Sequence, residues 1–84
     1  MTEYKSLVSY QTEEYGYVKV KLAELLAERG ITRNHLSKLV GVKYGVIDRY
    51  FKAENIERVD LDLFARICCV LSCRIEDILE YVQE

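Results

Sequence analysis

The sequence predicts one small all-α domain, five helices over residues 18–84, behind an N-terminal extension of residues 1–17. Three observations carry this. Half of the 84 residues are hydrophobic, enough for a single core. There is no proline and there are only four glycines, too few for a fold rich in turns. Apolar residues recur at i, i+3, i+4 in successive stretches, the period of a helix with one buried face.

The extension breaks this period. It is acidic and rich in tyrosine. Leu7–Tyr10 and Tyr17–Val20 have β-type composition, with polar residues and Gly16 between them. Two readings stand open, a short β-hairpin or a loose tail. A lone hairpin is marginal in water, so an ordered one would need to pack on something, such as a partner subunit. The extension would then be a dimerisation arm.

The first helix falls within Val18–Arg29, with Leu22, Leu25 and Leu26 as its stripe and Glu24 and Glu28 outside. Gly30 ends it. Val18 and Val20 alternate with Lys19 and Lys21, so an extended start is the alternative. Thr32 can cap the second helix, in which Leu36, Leu39 and Val40 share a face. Gly41 then supplies the φ > 0 needed for a sharp bend, and Val42 tucks back. The third helix covers about 43–52, with Ile47, Tyr50 and Phe51 inward. Ala53–Asp60 is polar, with Asn55 as a turn residue and Asp60 as the next cap. Leu61, Phe64, Ile67, Cys68 and Leu71 form the fourth stripe; Ile75, Ile78, Leu79 and Val82 form the fifth.

The middle of the chain has a meaning of its own. Two helices joined this tightly must cross steeply, and their contact needs a small side chain, Ser37. The bend needs a glycine four residues on, Gly41. The second helix needs an apolar residue facing back, Ile47. That spacing is a helix-turn-helix, whose second helix enters the DNA major groove. The net charge of −2 speaks weakly against nucleic acid, but its distribution does not. Residues 18–52 hold eight Lys/Arg against three acids, and residues 53–84 three against eight. The positive charge coincides with the motif.

Leu25, Gly30-Ile31-Thr32, Leu36-Ser37, Leu39-Val40-Gly41-Val42, Ile47, the run Leu61–Leu71 and Ile75-Glu-Asp-Ile-Leu79 together carry a resemblance. From Val18 to Val82 the sequence resembles the Cro/C1-type, or lambda-repressor-like, helix-turn-helix family. Its ending is similar to a subgroup of short bacterial, phage and mobile-element regulators. The resemblance implies a sequence-specific regulator of transcription that binds double-stranded DNA, as a homodimer, with its third helix in the major groove. It puts Tyr44, Gly45 and Arg49 at base edges. Arg49 is the strongest of the three, since a guanidinium can donate twice to guanine; a phosphate contact or plain solvation is its alternative. Gly45 permits close approach and loosens the helix. For the DNA backbone the resemblance implies Arg33, Asn34, Lys43, Lys52 and Asn55. Family members often carry glutamine at the place of Arg33. Asp48 is repelled by phosphate, and its expected role is to orient a neighbour, Arg49 or Lys52. His35 and Lys38 read as plain surface. Phe51 and Ala53 depart from the family pattern, so the exit from the third helix is expected to differ, with Phe51 buried or in an interface.

Other classes find little support. No apolar run is long enough to cross a bilayer, and the acidic start is unlike a secretory signal, so a cytoplasmic location is expected. Three cysteines without a Cys-x-x-Cys pair, and one histidine, do not suggest zinc. Cys68 and Cys73 read as buried thiols; Cys69 reads as exposed or in a subunit contact. No nucleophile–base pair or phosphate loop stands out, so no enzyme, cofactor, metal or small-molecule ligand is predicted. The alternative function is a protein-interaction module of the same fold, antitoxin-like or an adaptor.

Overall fold

Four amphipathic helices and two short strands account for most of the chain in the computed structural model, which describes residues 15–54 and 56–83. In order they are β1 (Tyr17–Val20), α1 (Leu22–Arg29), α2 (Arg33–Val40), α3 (Tyr44–Lys52), α4 (Leu61–Leu71), a single 3-10 turn at Ile75–Asp77, and β2 (Leu79–Val82).

Local chemistry sets each helix end. Thr32 Oγ1 accepts from the His35 N–H at 3.0 Å and starts α2. Gly41, at φ 77°, ends it, and the Gly41 and Val42 N–H groups both donate to the Ser37 carbonyl at 3.0 Å. Gly30, at φ 66°, does the same for α1. Asp60 Oδ1 accepts from the Asp62 and Leu63 N–H groups and caps α4. Ala53 and Ser72 close α3 and α4 in the left-handed region without being glycine, an uncommon and mildly costly choice. Ala53 thus performs the turn at the position where the family pattern has glycine.

The core joins Leu22, Leu25 and Leu26 of α1, Leu36 and Val40 of α2, Ile47 and Tyr50 of α3, and Leu63, Phe64, Ile67 and Leu71 of α4. Ser37 is only 3% exposed, and its hydroxyl donates to the Asn34 carbonyl at 2.7 Å, so this small polar residue is buried with its hydrogen bond made. Tyr50 meets Phe64 edge-on, centroids 5.1 Å apart, and its hydroxyl accepts from the Asp60 N–H at 3.2 Å. Tyr50 therefore ties α3 to the cap of α4. Arg66 Nη1 donates to the Val40 carbonyl and Arg29 Nη1 to the Leu71 carbonyl, so cations from other helices occupy the carbonyl ends of α2 and α4.

The expected fifth helix is not formed. Ile75–Asp77 make one 3-10 turn, with the Arg74 N–H donating to Asp77 Oδ2 at 2.9 Å, and the chain then extends. β2 runs antiparallel to β1, with Tyr17 opposite Val82 and Val20 opposite Leu79. The Lys21 N–H donates to the Ile78 carbonyl just beyond the ladder. Ile75, Ile78, Leu79 and Val82 fit a helical stripe, but Ile78 alone of the four is fully buried, while Ile75 is 46% exposed. The strand wins because so short a helix is weak alone, whereas pairing satisfies backbone groups of both segments. Val18 and Val20 do take the extended alternative. The other half of the conceivable hairpin, Leu7–Tyr10, lies outside the described residues; the partner of β1 is the opposite end of the domain.

Two stripe assignments are also corrected. Leu39 is 47% exposed and Leu61 is 72% exposed. In α2 the inward set is Leu36, Ser37 and Val40, which leaves Leu39 on the rim. Leu61 is the first residue of α4, ahead of the turn that packs, and Leu63 takes its place inside. Phe51 is half-buried against the core. Cys68 and Cys73 pack there too, while Cys69 is exposed.

Candidate nucleic-acid interface

The geometry of α3 follows from what holds its inner side. Ile47 and Tyr50 are buried, and Phe51 is partly so. At about 100° per residue, that leaves Gly45, Val46, Arg49 and Lys52 on one outward arc, with Tyr44 at its edge. All five are exposed, as is Lys43 at the N-cap. The expected base-reading residues Tyr44, Gly45 and Arg49 therefore share one accessible surface. Val46 was missing from that set. Its signal was present, since it lies off the Ile47–Tyr50–Phe51 stripe.

The basic residues differ in how freely they stand. Arg49 lies with its guanidinium 5.1 Å from the centroid of the Tyr50 ring. Arg33, at the start of α2, is half-buried. Its guanidinium sits 4.3 Å from the Phe51 ring centroid and 5.8 Å from that of Tyr44. Arg33 Nη1 also donates to Asp48 Oδ1 at 2.6 Å. The other oxygen of Asp48 meets Lys52 Nζ at 3.2 Å. Asp48 thus engages Lys52, as one alternative had it, and Arg33 rather than Arg49. Lys52 first, and then Arg33, holds the Asp48 carboxyl below the usual carboxylate range, against partial desolvation.

Of the residues expected at the DNA backbone, Lys43 and Asn34 are exposed, Lys52 is exposed but paired, and Arg33 is clamped between α2 and α3. Asn55 lies outside the described residues. The Arg33 clamp also explains Phe51. Its ring covers an arginine side chain on the flank of the motif, which gives an apolar residue a use at a position that is commonly polar.

A small residue, Ser37, is thus buried within the first helix, a left-handed glycine makes the bend, and the second helix is pinned by Ile47 and open on its basic side. The family model for the Cro/C1-type helix-turn-helix DNA-binding domain matches residues 21–84. The chain belongs to that family. Among solved structures this Cro/C1-type chain is similar to the transcriptional regulator VanUg, with 30% identity and a TM-score of 0.65, covering 95% of this chain and 100% of that one. It is also similar to a Bacteroides fragilis protein provisionally named as DNA-binding, with 17% identity and a TM-score of 0.67, covering 76% of this chain and 100% of that one. The second likeness concerns the fold alone. None of the curated proteins matches the sequence. Among the described residues, no helix of this Cro/C1-type domain is long and apolar enough to cross a membrane.

Proposed function

We propose that the protein is a sequence-specific transcriptional regulator that binds double-stranded DNA as a homodimer in the cytoplasm, with α3 lying in the major groove. One observation carries the reading: α3 is held from inside by Ile47 and Tyr50 and turns Gly45, Val46, Arg49 and Lys52 to solvent. Family membership and the likeness to a transcriptional regulator at 30% identity support it. Arg49 reads a guanine edge, Tyr44 and Val46 offer apolar contact to a thymine methyl, and Gly45 lets the backbone come close. Lys43, Lys52, Arg33 and Asn34 face phosphates. One domain of this size covers little DNA, so useful affinity requires two copies on a two-fold site.

The test is selection of bound sequences from a random duplex pool, followed by anisotropy titrations. A palindromic winner is expected. Arg49→Ala is expected to reduce discrimination between that site and its mismatched forms by roughly 1–3 kcal/mol. Lys52→Ala is expected to weaken all duplexes alike. Absence of binding to any duplex at low salt would overturn the reading and favour a protein-binding module. Exposed Val18 and Tyr81, cross-strand neighbours on one face of the sheet, would then be its contact surface.

A further inference from the structure

Asp48 is the one acidic residue of α3, half-buried at the edge of the basic surface beside Lys52. Its side chain is 20% exposed, and each of its oxygens holds a cation. Those cations, Arg33 and Lys52, are two of the residues assigned above to the DNA backbone. A phosphate competes with Asp48 for both of them. If both cations leave Asp48 for phosphates, the carboxylate is left facing a polyanion and takes up a cation from solution. The net release of counterions, which drives binding to DNA of any sequence, is reduced accordingly. Contacts to base edges made by Tyr44, Gly45, Val46 and Arg49 do not depend on this exchange. Arg33 is further restrained by its stack on Phe51, whereas the Lys52 side chain is mostly exposed.

We propose that Asp48 is a specificity-determining residue: it offsets one of the two positive charges of Arg33 and Lys52, lowers affinity for arbitrary duplex, and so makes stable occupancy depend on base contacts. This rests on the DNA-binding reading above, and the experiment separates the two. The 84-residue chain is titrated with its selected duplex and with a scrambled duplex of equal length, from about 50 to 200 mM KCl, a range over which phosphate-driven binding weakens steeply. Wild type, Asp48→Asn, Asp48→Glu and the remote control Glu76→Gln are compared, each with its melting temperature.

For Asp48→Asn, which removes one negative charge, the salt slope is expected to steepen by about 0.9. Scrambled duplex is expected to bind tenfold tighter or more at the low-salt end, and the ratio of selected to scrambled affinity to fall. Asp48→Glu keeps the charge and is expected to restore both slope and ratio towards wild type. Wild-type binding with an unchanged slope and ratio in Asp48→Asn would overturn this inference and leave the functional reading intact. Failure of wild type to bind either duplex would overturn both. If Asp48→Asn does not fold, Asp48→Ser is titrated in its place with the same expected slope and ratio, and an unchanged slope and ratio there would overturn the inference.

Discussion

Replacing Gly45 with alanine separates folding from binding, because the two are expected to move in opposite directions. Gly45 is the second residue of α3 and is exposed. A Cβ built there meets nothing within 4 Å, and the backbone is not in the left-handed region. Alanine therefore fits without strain and removes the entropic penalty of a helical glycine, about 0.5–1 kcal/mol. In a domain of this size that corresponds to a rise in melting temperature of about 2–8 °C. The same methyl projects from the arc shared with Val46 and Arg49. If the α3 backbone lies against the base pairs at this point, the methyl holds the helix off, at roughly the 1–3 kcal/mol of one mismatched pair. Thermal melts by circular dichroism and anisotropy titration on the selected duplex read the two effects independently. A lower melting temperature would refute the open geometry around Gly45. A higher one with unaltered affinity would refute its place at the closest approach, leaving Tyr44 and Arg49 to read the bases.

Two further predictions concern the rest of the domain. At Gly16 an added Cβ would collide with the Val82 carbonyl, which is backbone and cannot swing away. Gly16→Ala is expected to open the Tyr17–Val82 end of the ladder, seen as lost hydrogen-exchange protection of the amides there relative to that of Lys21 at the other end; unchanged protection at the Tyr17–Val82 end would contradict the close approach. The thiols are expected to differ in reactivity. Burial first, and then neighbouring Cys68, pushes the Cys73 thiol up to about 11. The thiolate is the reactive form, so at pH 8 Cys73 stays protonated and alkylates slowly, accelerating only as the pH approaches that value. Exposed Cys69 is expected to alkylate first, and mass spectrometry of partly labelled protein checks the order.

The four main helices were legible because each carries its own signals. Thr32, Gly41 and Asp60 act as caps through atoms within a few residues of themselves, and the stripes of α1 and α3 are local periodicities. The C-terminal strand was not legible. Its apolar spacing suits a helix, and what overrides that spacing is β1, some sixty residues upstream. Alternation at Val18 and Val20 hinted at one strand without naming its partner. The site divides in the same way. That α3 turns a basic face outward follows from Ile47, Tyr50 and Phe51 alone. The pairing of Asp48 with Lys52 is an i, i+4 relation on one helix, readable in principle. Its bond to Arg33 depends on the crossing of α2 over α3, which no local spacing encodes.

The pairing of β1 with β2 also has a consequence for biosynthesis. At ~5–20 residues per second, translation leaves Val18 and Val20 without their neighbour strand for roughly 3–12 seconds while the intervening residues are made. A bare apolar edge invites association with other nascent chains. Lys19 and Lys21 interleave with those valines. Before they find Glu24 and Glu80 as partners, they act as charged guards on an unfinished edge.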